Sequence, residues 1–193
     1  MIGTKWIYKT KYKLDVTIDK HKAILIAKGY AQLEAINYEE TFAPIAKMET
    51  IRTIFTLATQ NKWSIYQMDV KLAFFNGYVE EEIYVSQPQG FEVNEKEHKV
   101  CRLKKALYRL KQAPKTWYSR IDRYFQEKGF EKNPSDPNLY VKVIGPSILL
   151  FTLYVDDLIY TRNNTQLLQG FNVNMCSTFE MTNLGQLHYF LGI

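Results

Sequence analysis

Two adjacent acids, Asp156 and Asp157, stand in the run Leu149-Leu150-Phe151-Thr152-Leu153-Tyr154-Val155-Asp156-Asp157-Leu158-Ile159-Tyr160, which otherwise has the make-up of buried strands. Holding carboxylates against apolar strands is costly unless something positive compensates. No Lys or Arg occurs between Lys142 and Arg162. A divalent cation is the economical partner, because hard oxygen donors suit magnesium, which takes one or two protein carboxylates and completes its shell with substrate phosphates. The alternative is a solvated hairpin turn, since Asp forms turns well, although such a turn more usually recruits Gly or Asn. A further acid, Asp69, ends a predicted strand and is followed by Val70-Lys71-Leu72-Ala73-Phe74. There it can reach past a sheet edge, with the backbone carbonyl of Val70 as an additional ligand. Alone, Asp69 reads equally as a helix cap or a solvated strand end. Together with Asp156 it suggests carboxylates shared by two cations, the arrangement for in-line displacement at a phosphorus with a leaving pyrophosphate.

Such acids need elements to hold them. Trp6–Lys13 and Ala23–Ala27 read as strands, with Asp15–Lys22 turning between them. Thr50 is placed to cap a helix to about Asn61, whose apolar residues Ile51, Ile54, Phe55, Leu57 and Ala58 recur at helical spacing. Ser64–Val70 alternates as a strand does, and a helical turn over Leu72–Asn76 is stopped by Gly77. Glu82–Ser86 and Val100–Leu103 read as strands, the first leading into the turn Gln87-Pro88-Gln89-Gly90. A helix from Pro114 to Lys128, closed by Gly129, carries the stripe Trp117, Tyr118, Ile121, Tyr124, Phe125. Strands at Leu139–Ile144 and Ser147–Tyr154 are joined by Gly145-Pro146, and a third follows at Leu158–Thr161. A helix from about Thr165 to Phe179 and a closing strand at Leu187–Ile193 complete the pattern. Mixed order and an antiparallel-leaning sheet give the class α+β, in one continuous unit without repeat or linker.

With 46% apolar residues in a chain of 193, a core can be buried and a disordered tail is excluded. The net charge of +5 favours polyanionic partners, and its distribution says more than its size. Lys99 to Lys115 holds seven basic residues and no acid, and residues 5–28 add seven lysines against Asp15 and Asp19. Tyr8, Tyr12, Tyr108, Trp117 and Tyr118 are interleaved with these runs, the make-up of a surface that follows phosphates and stacks on bases. A solvated basic face is the bland reading. Cys101 and Cys176 lie far apart with no His at ligand spacing, as reduced thiols of an intracellular protein do. Met1 to Lys13 is not a signal peptide, and the apolar run from Ile148 to Tyr160 is too short and too acidic for a membrane span.

Ordered strings along the chain carry a resemblance. They are Gly3-Thr4-Lys5-Trp6, Lys28-Gly29-Tyr30, Tyr38-Glu39-Glu40-Thr41-Phe42-Ala43-Pro44 and Gln67-Met68-Asp69-Val70-Lys71-Leu72-Ala73-Phe74. They continue with Leu107-Tyr108-Arg109-Leu110-Lys111-Gln112-Ala113-Pro114, Tyr154-Val155-Asp156-Asp157 and the run from Leu184 to Ile193. Over its whole length the sequence resembles the reverse transcriptase domain of copia-type LTR retrotransposons. The resemblance implies a right-hand polymerase fold, with fingers over approximately 1–62 and a palm over approximately 63–193 that carries finger-like insertions. It implies RNA-directed DNA synthesis by a two-metal mechanism, with two magnesium ions (or manganese in vitro) and nucleotidyl transfer to a primer 3′-hydroxyl. Asp69, Asp156 and Asp157 would be the catalytic residues, and Asp69, Val70, Asp156 and Asp157 the metal ligands, with Asp157 the lesser. Lys22, Ala73, Phe74, Tyr108 and Gln112 would meet the deoxynucleoside triphosphate, with Phe74 as steric gate against a ribose 2′-hydroxyl. Tyr154, Lys111 and Pro114 would meet primer and template, an RNA or DNA strand. By the resemblance the protein works inside the cell, in a cytoplasmic particle or the nucleus, without a membrane.

The sequence departs from the family pattern at two positions. Ile24 stands where the string Lys-Ala-Arg-Leu has Arg, and an isoleucine cannot grip phosphate bidentately. Arg109 stands where Leu-Tyr-Gly-Leu-Lys-Gln-Ala-Pro has Gly, which permits positive φ and close backbone approach. There a long cation either obstructs the site or points outward onto a phosphate. The thumb and RNase H of the family would follow Ile193, so this chain alone is expected to be weak or inactive. An inactive remnant that keeps a basic nucleic-acid-binding surface is the alternative function.

Overall fold

The structure is a computed structural model that describes residues 1–13, 15–164 and 169–190. The chain folds as two compact units, Met1–Phe42 with Phe74–Trp117, and Ala43–Ala73 with Tyr118–Ile193. The class is α+β with a mostly antiparallel sheet.

In the first unit, β1 (Thr4–Tyr12) and β2 (Ile18–Ala27) form an antiparallel ribbon. A second small pair is made by β4 (Tyr84–Ser86) and β5 (Val100–Arg102). The unit's apolar cluster joins Ile2, Ala27, Ile83, Val85, Ala106, Leu107, Leu110 and Ala113, with Phe74 and Phe75 packed against it. A buried amide pair ties its loops together: Gln32 Nε2 donates to Gln112 Oε1 at 3.0 Å, and Gln112 Nε2 donates to the carbonyl of Asn37 at 2.9 Å.

The second unit is built on a six-stranded sheet. Its strands are β3 (Ile65–Val70), β6 (Glu131–Lys132), β7 (Leu139–Ile144), β8 (Ser147–Tyr154), β9 (Asp157–Arg162) and β10 (Met181–Gln186). They lie in the order β10-β3-β9-β8-β7-β6. All neighbours are antiparallel, as the alternation and short connections require. Its helices are α1 (Met48–Gln60) and α3 (Gln169–Phe179), together with α2 (Ala113–Glu127) from Tyr118 onward, the first turn of α2 belonging to the first unit. The α2 stripe does what its period implies: Trp117, Ile121 and Phe125 are buried. Phe125 stacks on Tyr140 at 4.5 Å between ring centroids and lies 5.5 Å from Phe151, which stacks on Tyr160 at 5.2 Å. Tyr140, fully buried in this cluster, directs its hydroxyl to Asp122 Oδ1 at 2.7 Å, so no polar tip is stranded.

Three sequence expectations are corrected. The first long helix starts at Met48 with Lys47 at its N-cap, so Thr50 lies inside the helix instead of capping it. Ala46 and Met48 pack with Ile51, Ile159 and Phe190, and the Lys47 N–H donates to Asp136 Oδ2 at 3.1 Å, which begins the helix earlier. The last strand occupies Met181–Gln186, ahead of the expected start at Leu187. Leu187 and Phe190 are used as apolar packing against the α1 cluster instead, while residues 191–193 lie outside the described ones. A strand also forms where none is expected: Glu131 and Lys132 pair with β7 as β6, which is too short to have a period. The start of the expected helix at Thr165 lies outside the described residues, and Gln169–Phe179 of it is helical.

Candidate active site

Asp69 is the fifth residue of β3 and Asp157 the first of β9, and antiparallel register sets them directly opposite each other. Opposed residues in such a pair hold their Cβ atoms about 4.5–5.5 Å apart. The Val70 N–H donates to the carbonyl of Asp156 at 2.9 Å, which ties the third acid to the same strand end. Three acidic residues from stretches about ninety residues apart are therefore brought by backbone pairing to the same end of β3 and β9 in one unit. All three are half-buried.

The turn that carries two of them is a two-residue hairpin loop, Val155-Asp156, closed by the Tyr154–Asp157 pair. The hairpin turn that the sequence allowed is therefore present. Val155 has φ 57°, a position that hairpins of this kind usually give to Gly. A β-branched residue held there is strained by roughly 1–2 kcal/mol.

Gln67 lies diagonal to Asp157 across the ladder, and its Nε2 donates to Asp157 Oδ1 at 2.8 Å. Sequence reasoning missed this partner, although alternation puts residue 67 on the face of residue 69. Burial is the main cause that lifts Asp157 above the ordinary carboxylate range; the Gln67 bond opposes it, and the charges of Asp156 and Asp69 reinforce it. A carboxyl raised in the folded state binds its proton more tightly folded than unfolded. Its contribution is therefore stabilising at low pH and is lost as pH rises from about 3.9 through the folded value. Without divalent cations, Asp157→Asn is expected to melt above the parent at about pH 7, with the difference closing toward about pH 3. Calorimetry across that range in EDTA checks this, and an unchanged or lowered melting point at neutral pH would count against it.

Among the described residues, no three His, Cys, Asp or Glu side chains already converge at metal-holding distance. Magnesium needs only one or two protein carboxylates, with water and phosphate oxygens completing its octahedron, so an all-acid donor set of this kind fits that ion.

The other residues singled out by sequence are distributed as follows. Ala73 is buried in the second unit, at the start of the 3-10 turn Ala73–Asn76. Tyr154, half-buried, meets Phe190 edge-on at 6.2 Å. In the first unit, Phe74 meets Tyr108 edge-on at 4.9 Å. Gln112 has no exposed surface, and its amide is engaged with Gln32 and Asn37. Lys111 is exposed and Pro114 half-buried. Lys22 pairs with Lys9 across the ribbon, Lys11 with Lys20, Ile24 with Ile7, and Lys5 with Ile26. Since side chains alternate, Lys5, Lys9, Lys11, Lys20 and Lys22 share one face with Ile24. Like charges directly opposite destabilise a bare ribbon, which makes this a face suited to a polyanion. Arg109 has φ 67°, so the position does require the conformation that Gly adopts freely.

The family model described as Reverse transcriptase (RNA-dependent DNA polymerase) matches residues 1–193. The chain is 40% identical over 193 residues to the Retrovirus-related Pol polyprotein from transposon RE1 of Arabidopsis thaliana, covering 100% of this chain and 13% of that protein. It is 40% identical over 190 residues to the Retrovirus-related Pol polyprotein from transposon TNT 1-94 of Nicotiana tabacum, covering 98% of this chain and 14% of that one. The Transposon Ty1-ER2 Gag-Pol polyprotein of Saccharomyces cerevisiae is 31% identical over 145 residues, 72% of this chain and 8% of its own length. The chain thus spans about an eighth of the length of the first two relatives. No solved structure matches.

Proposed function

Because the chain belongs to the reverse transcriptase (RNA-dependent DNA polymerase) family of copia-type retrotransposon Pol polyproteins, we propose that it is the fingers-and-palm part of an RNA-directed DNA polymerase that adds deoxynucleotides to a primer 3′-hydroxyl. The observation that carries this reading is the opposition of Asp69 to Asp157, with Asp156 tied to Val70 beside them. Asp69 and Asp156 would hold the divalent cations with the Val70 carbonyl, while Asp157, oriented by Gln67, would have the lesser part. When bound, two magnesium ions would supply activation of the 3′-hydroxyl and neutralisation of the departing pyrophosphate. Phe74, braced by Tyr108, stands as the ring that a ribose 2′-hydroxyl would strike. Lys22 and the lysine face of the ribbon serve the triphosphate and the strand. Tyr154, Lys111 and Pro114 serve primer and template, and the buried Gln112 amide holds the loop that presents Tyr108 to the nucleotide. Fingers over approximately 1–62 and a palm over approximately 63–193 are part of this reading; the compact grouping of residues 74–117 with 1–42 supports a finger-like insertion, while residues 43–62 group with the second unit.

The work is intracellular, in a particle or the nucleus, and no described helix is long and apolar enough to cross a membrane.

Primer extension on poly(rA)/oligo(dT) with magnesium tests the function; slow incorporation that EDTA stops is the expected result for this chain alone, and none at any protein concentration would refute it. A second reading, an inactive remnant that binds nucleic acid, is favoured by Ile24, an apolar side chain on the lysine face beside the Lys9–Lys22 pair. Ile24→Arg is expected to improve nucleotide use by up to about a hundredfold, since a charge-assisted phosphate contact contributes roughly 2–3 kcal/mol. Single-nucleotide kinetics measure it, and an unchanged kcat/KM for dTTP would show that Ile24 is not the defect.

A further inference from the structure

We propose that a cleft in the first unit, bounded by Lys5, Lys28, Arg109 and Lys111, binds vicinal phosphate groups and that Arg109 is the residue that makes it a site. The cleft has a volume of about 790 Å³ and is also lined by Gly29 and Tyr30. Its four cations are exposed, and the salt bridges among the described residues use other cations: Lys20, Arg102, Lys115 and Lys132. Four like charges around one concavity repel unless an anion enters, and one guanidinium among them can take two phosphate oxygens at once.

The backbone that carries these cations is fixed from several sides. The Ala27 N–H donates to the carbonyl of Tyr108 at 3.0 Å, and the Lys111 N–H donates to Gln32 Oε1 at 2.8 Å. Gly29 lies so near that a Cβ there would overlap the Arg109 carbonyl oxygen. Gly3 leaves room for the Lys28 stem, whose Cδ would lie 3.0 Å from a Cβ at that position. The end of β2 and the segment Tyr108–Lys111 are thus locked together, and the roots of Lys28, Arg109 and Lys111 are preorganised. Tyr30, 81% exposed, offers a free ring face at the same cleft for a base to stack on. Lys5 also belongs to the lysine face of the ribbon, so the cleft continues that charged surface.

The phosphates are either those of a nucleic-acid strand or those of a free oligophosphate; only the first source, or a nucleoside triphosphate, rests on the proposed function. The test uses the full chain in EDTA, titrated by calorimetry with inorganic tripolyphosphate and by anisotropy with fluorescein-labelled oligo(dT). Arg109→Gly suits the left-handed backbone and removes the guanidinium without strain, so folding is preserved. It is expected to weaken tripolyphosphate binding at least about tenfold and to reduce the salt slope of oligonucleotide binding by about one. Arg109→Lys should fall between the two. Loss of affinity for both ligands, with mutual displacement, assigns the cleft to a strand; loss for tripolyphosphate alone assigns it to a free oligophosphate. Undiminished binding of both by Arg109→Gly overturns the proposal. Primer extension is measured separately: extension with an insensitive titration sinks the cleft alone, and a sensitive titration without extension sinks the polymerase alone.

Discussion

Asparagine at Asp69 or at Asp156 is expected to lower primer extension roughly a thousandfold, about 4 kcal/mol of transition-state stabilisation, whereas asparagine at Asp157 lowers it only about tenfold. The substitution keeps shape and hydrogen bonding but removes the charge that attracts a divalent cation. The two larger effects follow from the roles proposed above, in which Asp69 and Asp156 are the principal holders. Asp157 is different because its Oδ1 already accepts from Gln67 and its charge is disfavoured by burial and by its acidic neighbours. Steady-state incorporation of dTTP on poly(rA)/oligo(dT), with circular dichroism to certify folding, gives the three ratios. An Asp156→Asn chain that extends within about tenfold of the parent would end the polymerase reading, and equal losses at all three positions would end the ranking.

Phe125→Ala is expected to remove about 3–5 kcal/mol of stability, the largest structural effect of any single truncation in the second unit. Phe125 is completely buried and its ring meets Phe130, Tyr140, Phe151 and Phe171. Neighbours that are themselves rigid aromatic rings collapse poorly into a vacated space, which puts this site toward the costly end of such series. The Tyr140 hydroxyl bond to Asp122 depends on the same stacking and would be loosened as well. Urea unfolding followed by near-ultraviolet circular dichroism reads the loss as a lowered midpoint. A cost below about 1 kcal/mol would mean that the cluster repacks freely.

How much of this was legible in the sequence differs by element, for physical reasons. The α2 stripe and the β7–β8–β9 run were readable because each buries one face over several periods, leaving an apolar pattern of 3.6 or a near-continuous strand signature. The start of α1 was not, because Lys47 makes no side-chain cap and tertiary packing of Ala46 and Met48 sets the boundary. The edge strand β10 was misplaced since Met181–Gln186 has a single fully buried residue, Met181, and includes Gly185 at φ 82°, so it carries no alternation. For the site, residue types and strings pointed to Asp69, Asp156 and Asp157, but their meeting depends on register between β3 and β9, which no local pattern encodes. Gln67 and the buried Gln32–Gln112 pair escaped for the same reason: an amide's partner is a matter of long-range pairing, with 90 and 80 residues separating the bonded groups.

The alternation of the two units along the chain has a consequence for synthesis on the ribosome. Strand β3 sits in the sheet between β9 and β10, and the Gln67–Asp157 bond closes a loop of 90 residues. At translation speeds of about 5–20 residues per second, β3 emerges roughly five to twenty seconds before its first sheet neighbour exists. For that interval Met68 and Val70, later buried in the native sheet, have no cover from the strands that will flank them. Nascent chains of this protein therefore pass through a stage in which a hydrophobic strand edge is available to any passing β-segment, so the yield of folded protein depends on elongation rate and chaperone supply as well as on the stability of the finished sheet.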